Sequence, residues 1–222
     1  MKNMMRTLLI TALAVASSSL VFATLQIPDR IIYNGKKYKL LSNPLESYFE
    51  KNPTKRPKDK VDSSALWRGY VATFEIKDNQ LYVKDIEIEV GMPTYKNGFH
   101  IGPWKSVMHE VFPKQKLVKA DWVTELLIMP TGKVTAGYRT IHEYDDILLE
   151  IDQGKMIKMK TFKDAQEFDK FRKKQFQEYR KTDEYKRLRA NYKKDLKNQS
   201  DEFIDSMMTK NILSYISKIL VD

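Results

Sequence analysis

The stretch SALWRGYVATFEIKDNQLYVKDIEIEV, residues 64–90, decides how this chain folds. Tyr70, Ala72, Phe74 and Ile76 alternate with Val71, Thr73, Glu75 and Lys77, the period of a half-buried strand. Asp78-Asn79 supplies a two-residue turn, and residues 81–90 return as a second strand. On the return the apolar parity changes: Leu81 and Val83 are odd-numbered, whereas Ile86, Ile88 and Val90 are even. One extra residue in a period of two turns every later side chain to the opposite face. The spacing therefore predicts a β-bulge near Lys84-Asp85.

Working toward the N-terminus, RIIYNGKKYKLL (residues 30–41) holds Asn34-Gly35 between two short strands. This pair is the most favoured for a type I′ turn, because both positions need positive φ. In that register Ile31 faces Tyr38 and Tyr33 faces Lys36, so Ile31, Tyr33, Tyr38 and Leu40 share one side. Residues 43–51 suggest one or two helical turns, and the Pro- and Lys-rich 52–64 an exposed loop. Toward the C-terminus, 91–103 is Gly- and Pro-rich and predicts loop. WKSVMHEVF spaces Trp104, Val107, Met108, Val111 and Phe112 as one face of a short helix. Two further hairpins follow, turning at Pro130-Thr131-Gly132 and at Gln153-Gly154.

From Thr161 the period changes from 2 to 3.6. Thr161 and Asp164 resemble a capping box, with Phe168, Phe171 and Gln175 along one face of the helix that follows. Tyr185, Leu188, Tyr192 and Leu196 form a narrow apolar stripe. Ser200 caps a last helix carrying Phe203, Ile204, Met207, Met208, Ile212, Tyr215, Ile216, Ile219 and Leu220. The expectation is an α+β protein. An antiparallel β-rich body of about six to eight strands, an open sheet or partly closed barrel, occupies residues 24–160, and a basic helical region of two to three helices occupies 161–222.

The first 23 residues have the form of a secretory signal peptide: Lys2 and Arg6, an apolar core over 8–15, and Val21-Phe22-Ala23 before the cleavage point. Ser17, Ser18 and Ser19 interrupt the apolar run and leave it short of the roughly 20 residues that span a bilayer. Cleavage after Ala23 predicts a periplasmic or secreted protein of about 200 residues, enough for one medium domain. The chain has no cysteine, so burial alone must stabilise it.

Charge is segregated. Residues 24–154 hold 19 Lys and Arg against 18 Asp and Glu; residues 155–200 hold 16 against 7, a net of +9 in one segment. Lys173, Lys174 and Lys194 lie in it, interleaved with Tyr179, Tyr185 and Tyr192. In an exported protein such a segment faces anionic envelope components or an acidic protein rather than nucleic acid. Peripheral membrane contact and a homodimer through 203–220 are the further partner expectations.

Trp67, Arg68, Gly69, Tyr70, Thr73, Phe74, Glu75, Leu81, Tyr82, Asp85 and Ile86, followed by Trp122, Thr124, Pro130, Gly132 and Lys133, make up a recurring pattern. It resembles that of an uncharacterised group of small bacterial proteins, W-R-G-Y-x-x-T-[WF]-E-I…L-Y-[LV]-x-D-I and then W-x-T…P-x-G-K, over residues 28–160. Where that group has T-G-[ET], this chain has Thr124-Glu125. The resemblance implies a shared fold and a bacterial source, and no chemistry.

The chain contains no cysteine nucleophile and no Gly-rich phosphate loop, and His100, His109 and His142 lack metal-ligand spacing. No cofactor is expected. Asp85, Glu87 and Glu89 alternate along one strand face with Cβ atoms about 7 Å apart. They could serve a hydrolase together with His100 or His109, or could form the solvent side of an amphipathic strand. Trp67, Arg68 and Tyr70 could contact a sugar, peptide or anion. Alternatively the two aromatics are core and Arg68 pairs with an acid such as Glu75. The reading that combines these features is a non-enzymatic interaction module of the bacterial envelope, with the hydrolase as its rival. Its candidate binding surface is Trp67, Arg68, Tyr70, Glu75, Lys173, Lys174 and Lys194.

Overall fold

The computed structural model describes residues 26–58, 64–91, 94–96, 99–131 and 143–222. The leader expected at 1–23, the strand expected after Gly132, and His142 lie outside the described residues. Five helices and eleven strands are present among those described. They run β1 (Asp29–Tyr33), β2 (Lys36–Leu40), α1 (Leu45–Lys51), β3 (Val71–Lys77), β4 (Gln80–Glu89), β5 (Thr94–Lys96), β6 (Phe99–Ile101), β7 (Trp104–Ser106), α2 (Met108–Val111), β8 (Val118–Lys119), β9 (Glu125–Pro130), β10 (Asp146–Asp152), β11 (Lys155–Lys160), α3 (Ala165–Tyr179), α4 (Asp183–Asp195) and α5 (Asp201–Lys210).

The architecture is α+β, a β-rich body followed by helices. The main sheet has order β2-β1-β3-β4-β11-β10-β9, with the short β7 and β8 also on β4, making nine strands. Four short strands account for the excess over the expected number: β7 and β8 here, and β5 and β6 as a separate pair. The free edge of β4 is served in succession by β11 at Gln80, β8 at Tyr82–Val83 and β7 at Glu87–Glu89. The ladder does not close into a barrel, although the Leu41 N–H reaches across to the Ile128 carbonyl at 3.0 Å.

Turn chemistry places the hairpins where the residues call for them. Asn34 and Gly35 have φ of 49° and 73°, Asp78 and Asn79 51° and 58°, Gln153 and Gly154 45° and 76°, the left-handed pairs of type I′ turns. The first hairpin has Ile31 opposite Tyr38 and Tyr33 opposite Lys36. Gly154 is further constrained, since a Cβ there would lie 2.7 Å from the Ala120 carbonyl oxygen. The bulge also falls where parity requires it. Thr73 pairs with Asp85 and Phe74 with Val83, so Lys84 is the extra residue.

One pairing departs from the antiparallel expectation: β1 and β3 run parallel, Ile31 opposite Phe74. Asp29 pairs with Leu40, so β2 ends beside the start of β1, and β3 begins at that same end. With β2 on one edge of β1, β3 takes the other edge and necessarily runs parallel to it. The connection 41–70 carries α1, whose Leu45 and Phe49 are buried in the first core.

Two cores flank the sheet. The first gathers Ile31, Phe74, Leu81, Ile86, Leu127, Leu149 and their neighbours under α1 and α2. The second sets Leu126, Ile128 and Leu148 of β9 and β10 against the helical layer. Their uninterrupted apolar runs follow from burial on both faces.

Three local expectations are corrected. Trp104-Lys105-Ser106 is a strand and only Met108–Val111 a helical turn, because the chain first pairs Trp104 with Glu89. Residues 94–96 and 99–101 form a small hairpin within the expected loop. The cap of α3 is Asp164 rather than Thr161, its carboxylate accepting from the N–H groups of Gln166 and Glu167. Ser200 does cap α5, which ends at Lys210; residues 212–214 form a 3₁₀ turn. Ile204, Met208, Ile212, Leu213, Ile216 and Ile219 are nevertheless buried against the body, and Phe203 alone of the large apolar set is left 49 % exposed. The apolar face that would call for a second copy at 203–220 is thus covered within the chain.

Candidate functional site

The two motif segments meet at α1. Arg68, 4 % exposed, donates from Nη2 to Asp29 Oδ1 at 3.2 Å and to the Ile27 carbonyl at 2.9 Å. Asp29 Oδ1 also accepts from the Ala72 N–H at 2.9 Å. Arg68 therefore pairs with Asp29, not with Glu75, which takes Lys84 at 3.1 Å instead. Tyr70 is buried, and its hydroxyl donates to Glu46 Oε1 at 2.7 Å. Arg56 grips the same carboxylate with both terminal nitrogens, at 3.1 and 2.7 Å, and lies 4.9 Å from the Phe49 ring centre. From the second motif, Trp122 donates from Nε1 to the Pro44 carbonyl at 3.2 Å. Its ring packs with Tyr48 at 4.8 Å and stacks on Phe112 at 6.0 Å.

Asn43, Glu46, Ser47, Glu50, Trp122, Thr124 and Glu125 enclose a cleft of about 330 Å³. Beyond Glu125 a second cavity of about 380 Å³ runs between β9 and the segment after α5, lined by Leu41, Leu126, Ile128, Leu213 and Ile216 with Ser214, Tyr215 and Ser217. Burial pushes the Glu125 carboxyl up to about 7, helped by the charge of Asp29. Burial likewise lifts Asp29 to about 6, against the pull of Arg68 and the Ala72 N–H. Glu46 goes the other way: despite its burial, the bonds from Arg56 and Tyr70 hold its carboxyl below the usual range. Carboxyls whose environments drive their pKa values apart mark a site candidate. Neither Glu46 nor Asp29 figured in the sequence reading, because their partners stand far away in the chain. Glu125 left one trace, as the acid at which the chain departs from its motif.

The expected binding residues are not brought together. Trp67 is 58 % exposed, an outward indole rather than a core residue, whereas Arg68 and Tyr70 point inward. Lys173 pairs with Asp169 at 2.7 Å, and Lys174 reaches the Asp222 carbonyl at 3.5 Å. Lys194 is exposed and has no ion pair among the described residues. The acids of β4 are also dispersed. Asp85 accepts from Ser106 Oγ at 2.6 Å, Glu87 pairs with Arg30, and Glu89 is buried. His109 is exposed, its nearest acid being Glu110 at 3.9 Å; the His100 side chain lies outside the described residues. The histidine partner that the rival reading needs is therefore not beside Asp85 or Glu87 among the described residues. Nor is any group of three or more His, Asp and Glu among them placed to hold a metal ion.

Trp122→Ala tests the wall of the cleft. A fully buried tryptophan truncation costs 3–5 kcal/mol; Trp122 is half-buried, so the expected loss is about 2–3 kcal/mol in urea denaturation. Loss of the indole also removes the hydrogen bond that holds Pro44 at the start of α1.

Comparison of the chain with protein-family models, with curated proteins and with solved structures returns no match.

Proposed function

We propose that the chain is exported, loses residues 1–23, and acts as a non-enzymatic interaction module at the bacterial cell envelope. In this proposal its fold is that of the small bacterial proteins that carry the W-R-G-Y motif, and its helical layer meets an anionic surface. The observation that carries the reading is the excess of positive charge on α3 and α4. Asp169, Asp201 and Asp205 pair with Arg172, Lys173, Arg180, Arg189 and Lys193, three acids against five cations. Lys170, Arg187, Lys194 and Lys197 stay exposed, with no ion pair among the described residues. No helix among the described residues is long and apolar enough to cross a membrane, so contact with a lipid surface would be peripheral.

Each Lys or Arg near an anionic surface contributes about 1 kcal/mol, so four unpaired cations suffice for measurable retention. The protein is expected to bind heparin and anionic vesicles at 0.1 M salt and to release at 1 M, where the Debye length falls from about 10 to 3 Å. Charge reversal of Lys170, Arg187, Lys194 and Lys197 together should shift elution to markedly lower salt. Retention that survives 1 M salt, or that the reversed variant keeps in full, overturns the reading.

A further inference from the structure

We infer that the trough running past Glu125 binds an amphiphilic ammonium compound, an alkyl or aryl chain ending in a protonated amine. The two cavities share Glu125 in their walls where β9 forms the edge of the sheet, one on the face of the first core and the other on the face of the second, and their chemistry differs accordingly. On one side Glu46, Glu50 and the indole of Trp122 surround the space, a setting in which carboxylates and an aromatic face both attract a cation. On the other, Leu41, Leu126, Ile128, Leu213 and Ile216 offer an apolar wall with a few polar groups, the usual make-up of a small-molecule site.

Glu125 is half-buried, yet it accepts no hydrogen bond and meets no cation among the described residues. Behind the wall, Asp29 is fully buried and its Oδ2 has no hydrogen-bond partner among the described residues; its field acts on Glu125 and it feels that of Glu46. The neighbouring cations cannot relieve Glu125, since Arg68 is committed to Asp29 and Arg56 to Glu46. With Asp29, Glu46, Glu50 and Glu125 set against Arg56 and Arg68, the site holds two uncompensated negative charges once Glu125 is ionised. A desolvated carboxylate without a partner is unfavourable, and an ammonium group beside it removes that penalty. An apolar chain on the same molecule fills the second cavity. An inorganic cation has nothing to place there, and an uncharged chain leaves Glu125 as it was.

The full chain is titrated calorimetrically at pH 8 with hexylammonium chloride, 1-hexanol and methylammonium chloride. Hexylammonium is expected to bind at least tenfold more tightly than either of the others. The isosteric Glu125→Gln should weaken hexylammonium at least tenfold and leave hexanol unchanged. Ser217→Phe, at an exposed position lining the apolar side, should block the chain without altering the melting curve. Affinity should fall from pH 8 to 5.5 as Glu125 takes up a proton. Asp29 titrates over part of that range, so Glu125→Gln keeps a smaller slope; Glu46, held below the usual carboxylate range, and Arg56, Tyr70 and Tyr215, held above theirs, keep their charge states there, and Glu50 and Arg68 complete the surroundings. Hexanol binding as tightly as hexylammonium, a folded Glu125→Gln protein that binds unchanged, or folded wild type that gives no signal at millimolar ligand overturns the inference. None of these outcomes bears on heparin retention, which tests the helical layer separately.

Discussion

A chain ending at Ser200 is expected to lose α5 and the segment after it from the helical layer, and to aggregate. Ile204, Met208, Ile212, Leu213, Ile216 and Ile219 are all buried in the second core. Each buried aliphatic side chain contributes about 1.5–3 kcal/mol, so the six together represent on the order of 10 kcal/mol, an upper figure because the unfolded chain is itself partly collapsed. That is comparable to the whole stability of a domain, about 5–15 kcal/mol. Polar losses add to it. Glu150 accepts from the Ile219 N–H at 2.9 Å, and Gln175, wholly buried, accepts from the Leu220 N–H at 2.7 Å and donates to the Val221 carbonyl. Without the segment both side chains exchange these bonds for water, a loss of about 0.5–1.5 kcal/mol each. Leu126, Ile128, Leu148, Phe168 and Phe176 would be uncovered on one contiguous face, beyond what soluble monomers expose. Size-exclusion chromatography and thermal melting provide the check: a truncated chain that stays monomeric and melts like the full one shows that the segment adds nothing.

The second large effect is expected at Arg68. Its guanidinium and the Asp29 carboxylate are 3 % and 0 % exposed, so Arg68→Ala leaves a buried charge alone. Breaking such a pair on one side costs about 3–5 kcal/mol. The loss should depend on pH in a defined direction. Asp29 sits at about 6 in the folded protein and near 3.9 when unfolded. A carboxyl raised by folding lends stability that is complete below its unfolded pKa and disappears as pH rises through its folded one. Removing Arg68 drives Asp29 higher still, so the variant should lie closest to wild type near pH 4–5 and furthest from it at pH 8. Urea denaturation at pH 5 and 8 measures both. An equal loss at the two values, or a loss below 1 kcal/mol, would show that Asp29 is not held as a buried carboxylate. Asp29→Asn combined with Arg68→Met should recover part of the deficit, since replacing both partners removes the uncompensated charge.

Local chemistry wrote much of the body into the chain. Asn34-Gly35, Asp78-Asn79 and Gln153-Gly154 lie at turns needing two left-handed residues, a requirement met by those side chains wherever the strands go. Parity fixed the bulge at Lys84 for an equally local reason, since side chains alternate by two. The shift to a 3.6-residue period at Thr161, and the Ser200 cap, are likewise properties of neighbouring residues. Partners were another matter. Arg68 could have met any acid in reach, and only the parallel docking of β3 on β1 brings Asp29 to it rather than Glu75. Trp67 and Tyr70 look alike in the chain, yet one turn sends the first outward and the second onto Glu46. Glu125 is an ordinary acid at the head of an apolar strand. Its titration near neutrality arises because folding strips water from it and sets Asp29 behind it. Conformation over two or three residues is governed by sterics within the chain, whereas pairing, burial and charge depend on which distant segments fill the same space, and that only the tertiary structure decides.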